Sequence, residues 1–187
     1  MRVIAGKAKG RRLRAVAGTT RPTGSRVKEA LFSMLGDRIR DARVLDLYAG
    51  SGALGIEALS RGAASATFVD RDPAAIATIR ANLDSADLAG RARVVRADAA
   101  VFVEGEADGP FDLALVDPPY AAGLASAPLA ELTERGLLAP GGVIVMETSS
   151  RVLPLVAPPG LRVVAERRYG DSALVLIEAG DTAGRGG

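Results

Sequence analysis

Residues 111–120 read Phe-Asp-Leu-Ala-Leu-Val-Asp-Pro-Pro-Tyr. Leu113 to Val116 is a continuous apolar run, the pattern of a strand buried on both faces. Strands and helices alternate along the rest of the chain, which makes the architecture α/β with a mostly parallel sheet. Asp117 ends the run. Pro118 and Pro119 cannot donate to a sheet ladder, so the strand stops there. A carboxylate is left at the carboxyl edge of a buried strand, on a stiff loop, with the Tyr120 ring three residues on. In open α/β sheets that edge is where ligands bind. Two prolines alone would mark only a rigid turn. The acid, the prolines and the aromatic directly after an apolar strand make a more specific set.

These residues suit work on an amine conjugated to a planar ring. Such an amine is a poor nucleophile because its lone pair is delocalised. Two acceptors gripping its N–H groups favour a pyramidal nitrogen and free the pair. The Asp117 carboxylate and the Pro118 carbonyl are candidate acceptors, and Tyr120 is a candidate stacking platform, a contact worth about 1–3 kcal/mol per base. Asp117-Pro118-Pro119-Tyr120 resembles the catalytic motif of S-adenosyl-L-methionine-dependent methyltransferases that act on amino groups of planar systems. Those enzymes modify adenine N6, cytosine N4, guanine N2 or glutamine N5. The resemblance implies the reaction type and leaves the substrate open.

A second constellation lies upstream. Arg43 to Leu47 reads as a strand, followed by Tyr48-Ala49-Gly50-Ser51-Gly52 and a helix from about Ala53 to Arg61. A strand, a glycine turn and a helix place backbone N–H groups beside a ligand. Gly50-Ser51-Gly52-Ala53-Leu54-Gly55 also matches the dinucleotide fingerprint, so glycine spacing alone leaves a nicotinamide cofactor and adenosylmethionine both open. Asp46 favours the second: an acid before the loop repels a pyrophosphate and suits a cationic amino group. Ala64 to Val69 is a strand ending at Asp70, twenty residues after Gly50. An acid here accepts bonds from ribose hydroxyls in both folds. Arg71 stands beside it. Asp72 is expected to cap a helix with Pro73 in its first turn, running to about Ser85. Arg93 to Ala97 is a further strand, followed by Asp98 and Ala99, where Asp98 also suits a helix cap.

The chain has 187 residues, enough for one domain with a real core. It contains neither Cys nor His, which excludes disulfides, thiol nucleophiles, Ser-His-Asp triads and ordinary zinc sites. No metal site is expected. There is no signal-peptide pattern and no uninterrupted apolar span long enough for a membrane helix, so cytoplasm is the expected location. The net charge of +2 conceals an asymmetry. Arg2, Lys7, Lys9, Arg11, Arg12, Arg14, Arg21, Arg26 and Lys28 precede the first acid, and the remainder is acidic on balance. Apolar residues interleave those charges, as in a structured element that binds an anionic polymer. Arg2 to Ala5 and Arg11 to Val16 read as a hairpin around Gly6-Lys7-Ala8-Lys9-Gly10. Thr23 or Ser25 then caps a helix from about Arg26 to Ile39.

This arm carries a narrower resemblance. Val3-Ile4-Ala5-Gly6, Lys9-Gly10-Arg11-Arg12-Leu13 and Arg21-Pro22-Thr23-Gly24-Ser25-Arg26-Val27-Lys28-Glu29-Ala30-Leu31-Phe32 resemble the N-terminal signature of the RsmD family. RsmD enzymes are bacterial 16S ribosomal RNA guanine-N2 methyltransferases, named for guanine 966. Asp46 to Gly52 also resembles that family's first methyltransferase motif, with Tyr48 where Phe is frequent.

The resemblance spans about Arg2 to Glu178 and implies a class I, Rossmann-like methyltransferase fold. Its sheet has seven strands, mostly parallel, in the order 3-2-1-4-5-7-6. It implies a cofactor site of Asp46, Tyr48, Ala49, Gly50, Ser51, Gly52, Asp70, Arg71, Asp98, Ala99 and Asp117. Within it, Asp98 and the Ala99 N–H read the adenine. It implies catalysis by Asp117, Pro118, Pro119 and Tyr120, and RNA contacts from Arg2, Lys7, Lys9, Arg11, Arg12, Arg14, Arg26 and Lys28. The partner implied is 16S ribosomal RNA in an assembling or assembled small subunit, with no membrane and no obligate protein partner.

The expected organisation is a basic hairpin extension over 1–22, a methyltransferase domain over 23–179 and a disordered tail over 180–187. Beyond it, Ala127 to Arg135 is expected to be helical, Pro140-Gly141-Gly142 a turn and Val143 to Glu147 a buried strand. Leu161 to Ala165 and Ala173 to Glu178 read as an antiparallel pair, whose Arg167 and Arg168 face either RNA or solvent. The rivals are an adenine-N6 methyltransferase, a nicotinamide oxidoreductase and a non-catalytic RNA-binding assembly factor.

Overall fold

Short apolar runs alternating with amphipathic segments fold into one seven-stranded sheet with helices on both faces. The computed structural model describes residues 1–17, 24–118 and 126–180. The segment 18–23, Pro119, Tyr120, the loop 121–125 and the tail 181–187 lie outside the described residues, so the expectations for them, a Thr23 cap included, have no structural counterpart. In chain order the elements are α1 (Ser25–Leu35), β1 (Arg43–Leu47), α2 (Ala53–Ser60), β2 (Ser65–Asp70), α3 (Pro73–Ala86), β3 (Ala92–Arg96), α4 (Ala99–Val101), β4 (Phe111–Val116), α5 (Ser126–Glu134), β5 (Leu138–Ser149), β6 (Leu161–Tyr169) and β7 (Ser172–Ala179). The strand order is β3-β2-β1-β4-β5-β7-β6. β3, β2, β1, β4 and β5 run parallel, and β7 lies antiparallel between β5 and β6. This is the order the resemblance implied.

Alternation along the strands builds two cores. Val44, Leu113, Leu115, Val143 and Val145 face Leu31, Phe32 and Leu35 of α1, Ile56 and Leu59 of α2, and Ile79 and Leu83 of α3. Leu45, Leu47, Ala114, Val116, Ile144 and Met146 face Phe102, Val103, Leu129 and Leu132 on the other side. The middles of the central parallel strands are therefore apolar on both faces; Asp46 and Asp117 stand at their carboxyl ends, while Asp112 at the start of β4 is exposed at the opposite edge. No helix among the described residues is long and apolar enough to cross a membrane.

Three local expectations are corrected. The cap of α1 is Gly24, which supplies no side-chain bond, and Ser25 is the first helical residue rather than the cap. β5 begins at Leu138, five residues before the expected strand, because the Pro140-Gly141-Gly142 turn is a bulge within it: pairing jumps from Phe111–Leu138 to Leu113–Val143. The N-terminal arm does reverse direction, but its only bridge is Arg2 with Arg12. Val3 N–H donates to the Arg11 carbonyl and Leu13 N–H to the Met1 carbonyl, both at 3.0 Å, whereas Ile4, Ala5 and Arg14, expected to continue the two strands, bond α2 and α3 instead.

Candidate active site

The site begins where β1 ends. Tyr48 has φ 60°, Gly50 φ 54° and Gly52 φ 75°, so the chain turns sharply before α2 starts. The Ala49 N–H donates to the Val69 carbonyl at 3.0 Å and that of Gly52 to the Ala49 carbonyl at 2.7 Å. Gly50 N–H donates to Asp70 Oδ2 at 2.8 Å. Asp70 Oδ1 accepts from Asp72 N–H at 2.9 Å, so this carboxylate ties β2 to the glycine turn. Gly55 lets α2 approach the sheet: a Cβ there would stand 2.3 Å from the Phe68 ring and 2.9 Å from Asp46 Oδ2. That is the close helix–strand packing served by the third glycine of the fingerprint.

Asp46 is buried and accepts from the Gly55 N–H at 2.8 Å. Burial pushes its carboxyl well above the usual value. The Gly55 bond opposes this, and the charges of Asp117 and Asp70 add to it. Asp117 follows β4 directly. Leu47 pairs with Val116, so Tyr48 and Asp117, which follow them, leave neighbouring strands at the same edge of the sheet. The glycine turn and the Asp-Pro motif thus meet at one sheet edge, with three carboxylates converging. Asp117 and Pro118 are both partly buried there. Pro119 and Tyr120 lie outside the described residues.

On the β2–β3 side, Tyr48, Arg71 and Asp98 group together. Partial burial raises the Tyr48 hydroxyl, Asp98 raises it further and Arg71 opposes. Arg71 and Asp98 are exposed and 3.9 Å apart. Asp98 caps α4 through the Ala100 N–H at 3.0 Å, and Ala99 is buried behind it. One carboxylate oxygen is thus engaged in the cap while the other stands opposite Arg71.

The basic arm packs against α2 and α3. Val3, Ala8 and Leu13 enter the core. Arg2, Lys7, Lys9, Arg11, Arg12 and Arg14 are exposed, and so is Arg26 at the start of α1. Lys28 is not: it is 4% exposed, 3.0 Å from Glu57 Oε2, and donates to the Arg2 carbonyl at 3.0 Å. Its expected RNA contact is therefore corrected to a structural one. Its charge is consumed in holding the arm.

Three residues absent from the sequence reading organise this docking. Glu57 accepts from the Ile4 and Ala5 N–H groups at 2.8 and 2.9 Å. Ser60 accepts from Ala8 N–H at 2.9 Å and donates to the Ala5 carbonyl. Asn82 bonds both backbone groups of Arg14 and also the Ser51 carbonyl. The only signal available was a polar residue inside an otherwise apolar helical stretch, which for Glu57 reads Leu-Gly-Ile-Glu-Ala-Leu.

A family model described as conserved hypothetical protein 95 matches residues 1–178. Ribosomal RNA small subunit methyltransferase D of Escherichia coli K12 is 41% identical over 149 residues, covering 79% of this chain and 74% of that one. The protein of the same name from Haemophilus influenzae is 35% identical over 173 residues, covering 91% and 89%. A solved Escherichia coli structure, the presumptive methyltransferase yhhF, superposes with a TM-score of 0.85 at 37% identity, covering 96% of this chain and 98% of its own.

Proposed function

The chain belongs to the conserved hypothetical protein 95 family, the RsmD family, and from that membership we propose that it transfers a methyl group from S-adenosyl-L-methionine to the N2 amine of a guanine in 16S ribosomal RNA of the small subunit. The observation that carries the cofactor part is the convergence of Asp46, Asp70 and Asp117 on the glycine turn. Crowded acids at a sheet edge fit a ligand with cationic groups. They also argue against a nicotinamide dinucleotide. Its pyrophosphate would need the loop and helix N–H groups, yet Gly50 N–H is given to Asp70 and Gly55 N–H to Asp46.

The residues present therefore fit adenosylmethionine, which when bound supplies an electrophilic methyl carbon on a sulfonium. The glycine turn Ala49–Gly52 and Tyr48 line its place, with Asp46 toward the methionine ammonium. Asp70 holds the ribose, and Asp98, Ala99 and Arg71 the adenine end. Asp117 and the Pro118 carbonyl accept the N–H bonds of the target amine and hold its lone pair in line. Pro119 stiffens that loop and Tyr120 stacks on the base. Holding reactants in line is worth about 7–11 kcal/mol, so no histidine or metal is required for the rate. The target guanine is flipped out of any stack to reach the edge. Arg2, Lys7, Lys9, Arg11, Arg12, Arg14 and Arg26 grip phosphate, which supplies affinity without sequence information. The setting is cytoplasmic, on an assembling or assembled small subunit.

The test is to incubate undermethylated small subunits with methyl-labelled cofactor, digest the RNA and identify the labelled nucleoside. N2-methylguanosine is expected. N6-methyladenosine would sink the guanine assignment, and no label at all would leave an RNA-binding factor in its place.

Two predictions arise at these surfaces. Replacing Arg11, Arg12 and Arg14 with Ala should raise the RNA KM, leave cofactor affinity measured without RNA unchanged and lower the slope of log affinity against log salt by about two to three. An unchanged slope would put the RNA elsewhere. Asp46 gives a pH signature. Its raised folded value means the empty protein loses stability as pH climbs from 3.8 toward that value. A cation beside Asp46 favours the carboxylate, so binding should expel a proton and tighten as pH rises through the same range. Titration calorimetry in two buffers of different ionisation enthalpy reads that proton directly; equal heats would place the ligand's cation away from Asp46.

A further inference from the structure

Asn82 sits on α3 and is 1% exposed. A polar side chain so deep in a helix interface must spend its bonding groups nearby. Its Oδ1 accepts from the Arg14 N–H at 2.7 Å. Its Nδ2 donates to the Arg14 carbonyl at 3.0 Å and to the Ser51 carbonyl at 2.9 Å. One planar amide thus closes a two-point clip on the arm and holds the backbone of the glycine turn with its remaining proton. Ser51 lies between two glycines of positive φ, Gly50 and Gly52, at the centre of that turn. Arg14 stands in the run of exposed cations Arg11, Arg12 and Arg14.

We propose that Asn82 couples the two binding sites, so that RNA on the basic arm tightens cofactor binding at the glycine turn and cofactor tightens RNA. The inference rests on the assignment of those two ligands to those two sites. Its physical basis is shared ordering. A ligand seated on the turn fixes the Ser51 carbonyl, which fixes the Asn82 amide plane, which holds Arg14 in its docked register. Phosphate bound across Arg11, Arg12 and Arg14 fixes the same amide from the other end. A second ligand then meets a partner already ordered, and the linkage is reciprocal. The other anchors of the arm do not transmit this. Ile4 and Ala5 are held by Glu57 and Ala8 by Ser60, in the later turns of α2.

Asn82 is a positioning residue in this account, so its test is a coupling ratio. S-adenosylhomocysteine is titrated into the full chain alone and with a saturating unmodified 16S ribosomal RNA fragment. RNA should lower the wild-type dissociation constant by about fivefold or more, the lower end of typical couplings. Asn82→Asp keeps an acceptor for the Arg14 N–H but loses both donated bonds, and its ratio should fall to about one. Equal wild-type affinities with and without RNA overturn the proposal, as does a coupling that survives in folded Asn82→Asp. A wild-type measurement stands should that variant fail to fold. S-adenosylhomocysteine should slow hydrogen exchange at the Arg14 amide by about fivefold or more and leave the Ile4 and Ala5 amides nearly unchanged. No change at Arg14, or an equal change at all three, overturns the route through Asn82. If either ligand fails to bind alone, the site assignments themselves fall and the coupling falls with them.

Discussion

Asp117→Ala should bind S-adenosylhomocysteine as the parent protein does and lose about a thousandfold or more in kcat. The expectation comes from where the residue stands. Asp117 follows β4 at the sheet edge, one step past the Leu47–Val116 pair and next to the glycine turn. Its charge adds to the forces that keep Asp46 from ionising. Removing it takes one acid from the cluster but relieves Asp46, which stays to meet the methionine ammonium, so the two effects on the cofactor offset each other. For the target amine the loss is different. One of two acceptors disappears, the nitrogen is free to stay planar, and the in-line pose is lost. A single preorganised hydrogen-bonding group aimed at a transition state is typically worth about a hundred- to a thousandfold, and misalignment adds to that. Asp117→Asn keeps one acceptor oxygen and should fall between the two. Calorimetry for the ligand and initial rates of label transfer separate binding from turnover. Full turnover in Asp117→Ala would remove this residue from the chemistry.

How much of this was legible beforehand depends on whether the cause lies near in sequence. β1 was read to the residue, because an apolar run closed by Asp46-Leu47 and a glycine turn carries its own boundaries. The Asp72 cap with Pro73 behind it was equally local, and the Ala74 N–H does donate to Asp72 at 2.8 Å. β5 was cut short because Pro140-Gly141-Gly142 has the composition of a turn. Only the partner strand shows that the chain resumes the same sheet after the bulge. The arm illustrates the stronger limit. Gly6 looked like a loop glycine, yet a Cβ there would fall 1.8 Å from the Ser60 carbonyl oxygen, so its role is set 54 positions away. Lys28 near a helix start resembled an outward cation, since nothing within a turn of it suggested a partner. Glu57 showed only as an acid inside an apolar helical stretch, and Asn82 had no local pattern at all. Residues that bond within a few positions announce themselves, and residues that join distant segments do not.

Glu57→Ala should destabilise the fold about as much as truncating a large core side chain. Glu57 is fully buried, and its carboxylate accepts from Ile4 N–H, Ala5 N–H, the Lys28 ammonium at 3.0 Å and Arg61 Nε at 2.9 Å. Burial alone would raise its carboxyl. The Ile4 bond, the Lys28 ammonium and Arg61 outweigh that and hold it below the ordinary 4.5. Truncation leaves a buried ammonium with the Arg2 carbonyl as its remaining described bond, and two backbone N–H groups without their acceptor. Breaking a buried ion pair from one side costs about 3–5 kcal/mol, which for a chain this long is a fall of roughly 6–20 °C in melting temperature. The arm should loosen first, seen as faster exchange at Ile4 and Ala5. Acid should mimic the substitution. A carboxyl depressed in the folded state contributes stability above its unfolded value and loses it as pH falls below about 4.5 through the folded value. The wild-type melting temperature should drop over that range, and Glu57→Ala should lack that part of the drop. Replacing both partners, Lys28→Met with Glu57→Leu, removes the orphaned charge and should recover much of the loss. A double variant no more stable than Glu57→Ala would mean that the bonds to Ile4 and Ala5, not the ion pair, hold the arm in place.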